Sequence, residues 1–215
     1  MTVELIPVLE IMNFSQEIIS PGNGPYWEYA EEWETFNQIC NATAGYPDKF
    51  NSYLKGSAFY KLSEISYGNL VKLTKDYTAE FRNEDCDREQ IFSFSGGYVL
   101  KIEGRDKYFP QCCGDLSDIQ YWDNLVSEKN HIFYAGHPYP EVKICNGIIT
   151  FDFTGSESFA PALPEKIINI TTSSLQLAIE VVRTELFHFL ERIKQINLAE
   201  QINIENIDEL LVWGV

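Results

Sequence analysis

Hydrophobic residues recur along this chain in short runs, some with the two-residue period of strands and others with the three- to four-residue period of helices. Residues 3–12 are rich in branched side chains and predict an opening strand. Paired strands are predicted near residues 91–109 and again near residues 142–153. The second pair surrounds Asn146 and Gly147, a dipeptide typical of a type I′ turn. Two hairpins are therefore expected.

Three other segments show helical spacing. Residues 26–41 and residues 115–128 each place their large apolar side chains three or four positions apart. In the second segment the start signal is either Ser117 with Gln120, which have capping-box spacing, or Asp115. The longest segment, residues 174–196, follows a similar capping signal at Ser173 and Gln176. Its apolar positions are Leu175, Ile179, Val182, Leu186, Phe189, Leu190 and Ile193.

The order of these elements predicts the fold class. Helices stand in separate blocks around the two hairpins, which is typical of an α+β protein and not of an alternating α/β fold. The chain has 215 residues, no linker-like stretch and no visible repeat. We therefore predict a single α+β domain over residues 1–215, with a mainly antiparallel sheet packed against the long C-terminal helix.

The charge distribution is uneven. The net charge is −16, and no basic residue precedes Lys49, although eight acidic residues do. After Lys194 there are four more acidic residues and no basic one. A strongly acidic surface attracts cationic partners and repels nucleic acid. A basic protein partner is therefore predicted, and nucleic acid is not.

The acidic N-terminal helix is the predicted contact surface for that partner. It combines negative charge with aromatic rings, which often anchor protein interfaces. The same pattern is also typical of a solvated helix face above a core that contains Trp. The predicted partner-binding residues are Trp27, Glu28, Glu31, Glu32 and Trp33.

Two adjacent cysteines, Cys112 and Cys113, suggest a second kind of function. They lie between a predicted strand and a predicted helix, where exposed amides stabilise a thiolate. Either thiol is a candidate nucleophile, with His131 or His137 as the base and amides near Gly114 as oxyanion donors. Such an arrangement would make the protein a thiol-dependent hydrolase or transferase.

A structural role explains the same segment more simply. Cysteines also pack as small hydrophobic residues, Gly114 permits a turn, and Asp115 caps the following helix. Adjacent cysteines differ from the Cys-x₂-Cys pair that is typical of zinc sites, so no metal is predicted. No cofactor is predicted either, because the chain carries no phosphate-binding glycine motif.

The cysteines and the lengths of the apolar runs indicate where in the cell the protein is located. The five cysteines are an odd number without regular spacing, which favours reduced thiols and a cytoplasmic protein. No apolar run approaches the length of about 18 residues that a membrane span requires. We therefore expect a cytoplasmic protein that does not enter a membrane.

Non-enzymatic binding of a basic protein is the leading functional hypothesis. In acidity and size the chain resembles the immunity proteins that bacteria keep against their own cationic toxins. That resemblance implies binding of a basic protein and no catalysis. The alternatives are the thiol-dependent enzyme and a sensor domain that holds a small ligand between sheet and helices.

Overall fold

The chain folds into blocks of helix and strand, and a computed structural model describes it over residues 1–127, 132–155, 158–163 and 165–214. The strands are β1 (Val3–Glu10), β2 (Phe59–Lys61), β3 (Gly96–Ile102), β4 (Arg105–Tyr108), β5 (Glu141–Cys145), β6 (Ile148–Asp152) and β7 (Ile167–Thr171). The α-helices are α1 (Ala30–Thr43), α2 (Tyr67–Tyr77), α3 (Ala79–Arg82), α4 (Ile119–Ser127), α5 (Thr172–Ala199) and α6 (Ile207–Trp213).

The strands form two sheets. One has the strand order β2-β1-β3-β4, and the other has the order β5-β6-β7. Pairing is antiparallel between β1 and β2, between β3 and β4, and between β6 and each of its neighbours. The predicted α+β class with mainly antiparallel sheets is confirmed.

Both predicted hairpins are present. The first joins β3 to β4 through Glu103 and Gly104, and the second joins β5 to β6 through Asn146 and Gly147. Asn146 has a φ of 50° and Gly147 a φ of 73°, the positive values that a type I′ turn requires. The first hairpin begins at Gly96 and not at residue 91, because the glycine pair is part of strand β3.

The long C-terminal helix is also confirmed. Helix α5 has 28 residues and buries a stripe at helical spacing. Its fully buried members include Leu175, Ile179, Val182, Leu186, Ile193 and Ile196. The first half of the helix lies against β1, since Ala178 and Leu5 line the same cleft.

Helix α1 differs from its prediction at both ends. It begins at Ala30, four residues later than predicted, and continues to Thr43. The residues before it form a turn in which the amides of Glu28 and Tyr29 donate to the carbonyl of Pro25. The turn before the helix has the same apolar spacing as the helix itself, which is why the sequence predicted a helix that begins too early.

The chain divides into two compact units. Unit 1 comprises Met1–Pro7 and Ser95–Phe187, and unit 2 comprises Val8–Phe94 and His188–Val215. The prediction of one domain over the whole chain is not tested by this division.

Unit 1 has an aromatic core. The ring of Trp122 lies 4.7 Å from that of Phe133 and 5.9 Å from that of Phe151. Tyr108 lies 5.7 Å from Phe153 and donates a hydrogen bond of 3.0 Å to the carbonyl of Ala135. Helix α4 and strands β4 and β6 are held together by these rings.

Unit 2 buries its own core. Phe94 packs edge-on against Tyr77 at 4.8 Å and against Phe189 of helix α5 at 6.0 Å. The C-terminal segment docks on this core, because α6 buries Leu210 and Leu211 and the amide of Phe94 donates to the carbonyl of Leu211.

Candidate functional site

The predicted partner-binding residues on helix α1 differ in their roles: Trp33 has a structural role, whereas Glu31 and Glu32 are exposed. The indole Nε1 of Trp33 donates a 2.8 Å hydrogen bond to the carbonyl of Gly24, and its ring packs edge-on against Phe36 at 5.6 Å. Trp33 therefore ties the preceding loop to the helix. Its polar atom is already satisfied within the fold, so its role is structural.

Glu34, which lies on the same helix, also has a structural role. Its carboxylate accepts hydrogen bonds from the Ser52 hydroxyl, the Gly56 amide and the Gln38 side chain. Burial acts to raise the pKa of Glu34, but these hydrogen bonds to the charged form outweigh it and the pKa is lowered. This carboxylate holds the segment around residue 56 against the helix and is not available to a partner.

Glu31 and Glu32 are arranged differently, since both are exposed. Glu31 forms an ion pair with Lys55, and because both side chains are solvated this pair contributes little stability. The carboxylate of Glu32 has no hydrogen bond or ion pair within the described part of the chain. The two carboxylates line a cleft of ≈ 440 Å³, which we call the acidic cleft. Its main lining residues are Ile18, Ile19, Glu31, Glu32, Phe36 and Ile39.

The apolar side of the acidic cleft is unusually exposed. Ile19 is 94% exposed and Ile39 is 48% exposed, and neighbouring Phe14, whose ring lies 6.4 Å from that of Phe36, is 72% exposed. Exposed apolar side chains grouped in this way are typical of interaction sites. Residues 13–25 show no regular period, so the sequence pattern did not predict these side chains, although the pair Ile18 and Ile19 before a Pro-Gly turn was a visible signal.

Trp27 and Glu28 lie in the turn before helix α1. Trp27 is 39% exposed and packs edge-on against Tyr26 at 5.0 Å. Glu28 is exposed. Neither is among the residues that line the acidic cleft, so the predicted surface and the observed cleft share only Glu31 and Glu32.

Apart from Glu4, the acidic residues of the two ends of the sequence belong to unit 2. Unit 2 contains 19 acidic and 9 basic residues, which gives it a net charge of −10. Unit 1 contains 13 acidic and 7 basic residues, which gives it a net charge of −6. In the C-terminal segment, Glu200 pairs with Lys75 at 2.7 Å and Asp208 with Lys194 at 3.1 Å. Glu205 and Glu209 remain exposed.

The second candidate site is the loop of Cys112 and Cys113. Both side chains are exposed, and their Sγ atoms lie 3.3 Å apart. The amide of His137 donates a 2.8 Å hydrogen bond to the carbonyl of Cys112, so the fold brings these two segments together. His131, the other predicted base, lies outside the described residues.

The amides beside the cysteines already have acceptors. The amide of Gly114 donates to the carbonyl of Gln111 at 3.1 Å, and the amide of Asp115 donates to Oδ2 of Asp118 at 3.0 Å. Asp115 in turn accepts from the amide of Ser117, completing a capping box around the 3₁₀ turn that precedes α4. The cap is thus Asp115 and not Ser117. These amides do not form a ready oxyanion hole.

Among the described residues, no three or more His, Cys, Asp or Glu side chains are grouped so that they could hold a metal ion. Each of the five cysteines is present as a thiol.

None of the helices in the described ranges is both long enough and apolar enough to span a membrane. Comparison of the chain with protein-family models, with curated proteins and with solved structures found no match.

Proposed function

We propose that this protein is a non-enzymatic binding protein that recognises a basic segment of a partner protein at the acidic cleft. The observation that carries the proposal is the combination of exposed isoleucines and two exposed carboxylates in one cleft. The proposal agrees with the resemblance in charge and size to the immunity proteins.

The apolar part of the cleft provides the binding free energy. Ile19 and Ile39 lose their contact with water only when a partner covers them, and burial stabilises a complex by about 25 cal/mol for each Å² of apolar surface. Apolar residues at the centre of an interface, surrounded by polar groups, are the usual arrangement of protein complexes. Lysine and arginine side chains suit this arrangement because their apolar stems cover isoleucine while their charged ends reach carboxylates.

The charged part selects the partner. Glu32 has no ion-pair partner among the described residues, and the exposed pair of Glu31 with Lys55 costs little to open. The net charge of −10 on unit 2 also attracts a cationic protein before contact and accelerates association. An acidic partner would be repelled by the same field.

Charge reversal in the cleft tests the proposal. The probe is a fluorescent amphipathic helical peptide with lysines along one side and leucines along the other. We expect the double substitution Glu31→Lys and Glu32→Lys to weaken its binding by about tenfold or more at low ionic strength, because attraction becomes repulsion. Fluorescence anisotropy at increasing protein concentration measures the Kd.

A matched control separates the cleft from the overall charge. Glu80→Lys with Glu89→Lys changes the net charge equally at two exposed positions outside the cleft, and we expect a much smaller loss of affinity. Ile19→Ser removes an almost fully exposed side chain, so affinity should fall without loss of stability. Equal losses in both double variants, or no binding by the unsubstituted protein, would contradict the proposal.

The thiol-dependent enzyme receives less support from the structure. His137 is held near Cys112 through its backbone, but the amides of Gly114 and Asp115 are already hydrogen-bonded. Neither of these two amides is therefore free to stabilise the negative charge that would develop when a thiol attacks a carbonyl group. Binding at the acidic cleft is therefore the function that we put forward.

A further inference from the structure

The backbone at the two cysteines brings their side chains together. In an extended chain, successive side chains point to opposite sides, so adjacent cysteines would keep their sulfurs apart. Cys113 instead has a φ of 66°, in the left-handed region that residues other than glycine rarely adopt. As a result the two Sγ atoms lie 3.3 Å apart, and both side chains are exposed to solvent.

Surrounding contacts hold this unusual conformation in place. The carbonyl of Gly114 accepts from the amide of Gly96 at 2.9 Å, and the carbonyl of Cys112 accepts from the amide of His137 at 2.8 Å. The buried side chain of Gln111 exchanges two hydrogen bonds of 3.0 Å with the backbone of Ala160. This conformation is strained for a residue other than glycine and persists only where neighbouring structure imposes it.

A close approach at Gly136 adds to this support. A Cβ at this position would lie 2.7 Å from the carbonyl oxygen of Gln111 and 2.9 Å from that of Cys112. Only glycine allows the segment that carries His137 to pack so closely. Residues on both sides of the cysteine pair are therefore fixed by backbone contacts, while the sulfurs themselves face solvent.

We propose that Cys112 and Cys113 are a redox-active vicinal dithiol that hydrogen peroxide oxidises to an intramolecular disulfide. This inference does not depend on the proposed binding function. It also requires no metal or bound cofactor, since peroxide is the oxidant.

The reaction has two steps. One thiolate attacks a peroxide oxygen, an S–O bond forms, the O–O bond breaks, and hydroxide leaves and is protonated to water. The second thiol then attacks the sulfenic sulfur, the S–S bond forms, the S–O bond breaks, and the hydroxyl group leaves as water with the thiol proton. In total, two thiols lose two electrons and two protons, and one peroxide becomes two molecules of water.

The disulfide should be easy to reduce. Neighbouring Cα atoms are about 3.8 Å apart across a trans peptide bond, whereas Cα atoms joined by a disulfide are usually about 4.4 Å apart or more. A disulfide between adjacent residues is therefore strained, and strained, exposed disulfides have the higher reduction potentials of regulatory bonds. We expect the modification to be reversible by mild thiol reductants.

Peptide mass spectrometry tests the proposal directly on the full chain. The reduced protein is treated with hydrogen peroxide, quenched with catalase, unfolded, alkylated with iodoacetamide and digested with trypsin. Cleavage after Lys107 and Lys129 releases a peptide that contains Cys112 and Cys113 and no other cysteine. We expect this peptide to lose two hydrogen atoms and to resist alkylation, and to accept two alkyl groups after reduction with dithiothreitol.

Cys145 is a matched control in the same molecule, because it is also exposed but its tryptic peptide contains no second cysteine. We expect peroxide to convert Cys112 and Cys113 into a disulfide that dithiothreitol reverses, whereas the Cys145 peptide should gain oxygen atoms, because only a neighbouring thiol resolves the sulfenic acid. Cys112→Ser and Cys113→Ser should each stop at a sulfenic acid that dimedone traps.

The proposal is overturned if the peptide gains oxygen atoms without losing two hydrogens. It is also overturned if both cysteines remain alkylatable at peroxide levels that already oxidise Cys145. Either result decides the question in the unsubstituted protein, so the test stands even where a serine variant fails to fold.

Discussion

Asp118 shows how a single residue links burial to pH dependence. Burial raises the pKa of its carboxyl group to about 7, and the negative charge of Asp115 adds to this effect. The hydrogen bond from the Asp115 amide favours the charged form and acts in the opposite direction. Burial is the larger effect. Between about pH 4 and pH 7, Asp118 is therefore protonated in the folded protein and ionised in the unfolded chain, where its pKa is 3.8.

This pKa predicts the pH dependence of stability. A pKa raised by folding means that the native state binds more protons, so the free energy of unfolding falls as the pH rises from about 4 to about 7. We expect Asp118→Asn to remove this decrease and to increase stability by about 1–3 kcal/mol at pH 8, since the amide oxygen still accepts from Asp115. Urea unfolding at a series of pH values measures the effect.

Asp152 provides a control of opposite sign. Hydrogen bonds from the Thr154 side chain and amide lower the pKa of this exposed carboxylate. Its stabilising effect is therefore present above the unfolded pKa of 3.8 and is lost as the pH falls. Asp152→Asn should weaken the protein near neutral pH. If Asp118→Asn left the pH dependence of the free energy of unfolding unchanged, the carboxyl group of Asp118 would have an ordinary pKa, and the prediction for Asp118 would be wrong.

At the scale of single elements, the residue that caps the start of helix α5 differs from the one that the sequence predicted. The spacing of Ser173 and Gln176 predicted a capping box there, and the helix does begin in this region. However, the amide of Ser174 donates at 3.1 Å to the hydroxyl of Thr171, which is therefore the cap. Thr171 is the last residue of strand β7, an element that the sequence analysis did not predict.

This assignment predicts different effects at neighbouring positions. Thr171→Ala should lower the free energy of unfolding by about 1 kcal/mol, because one amide at the helix start loses its acceptor. Ser173→Ala should change it by less than about 0.5 kcal/mol, as is usual for an exposed residue. Thermal unfolding followed by circular dichroism compares the two. A larger loss in Ser173→Ala would restore the cap predicted from sequence.

At the scale of the whole molecule, the net charge of −16 opposes folding. Like charges repel more strongly in the compact state than in the extended chain, and salt screens this repulsion within a Debye length of about 10 Å at 0.1 M. Exposed ion pairs such as Glu31–Lys55, Glu64–Lys61 and Glu191–Lys194 contribute little stability, so screening them costs little.

Stability should therefore increase with ionic strength. We expect the free energy of unfolding to rise by up to about 1 kcal/mol between 0.02 and 0.3 M sodium chloride, a range over which exposed charges become screened. Urea denaturation is suitable because urea is uncharged. Replacing exposed Glu28 and Glu209 with Gln should reduce the response to salt. A decrease in stability with salt would mean that attractive pairs outweigh the repulsion.

Much of the fold was predictable because its signals are local. The turn of Asn146 and Gly147 depends on two residues that accept positive φ, and the length of α5 follows from apolar spacing within one segment. Elements without a strong local pattern were missed, as strand β7 and helix α2 show. Their burial depends on partners distant in sequence.

The sequence by itself determined the α+β class, the two hairpins, the long helix and the acidity of the two ends, because each follows from neighbouring residues or from composition. Tertiary structure decided which acidic groups are available. Glu34 is bound by Ser52 and Gly56, whereas Glu32, two residues earlier on the same helix, faces solvent. It also decided that the sulfurs of Cys112 and Cys113 meet, since backbone contacts with distant segments impose the φ of Cys113. Long-range contacts select among local conformations that the sequence leaves similar in free energy.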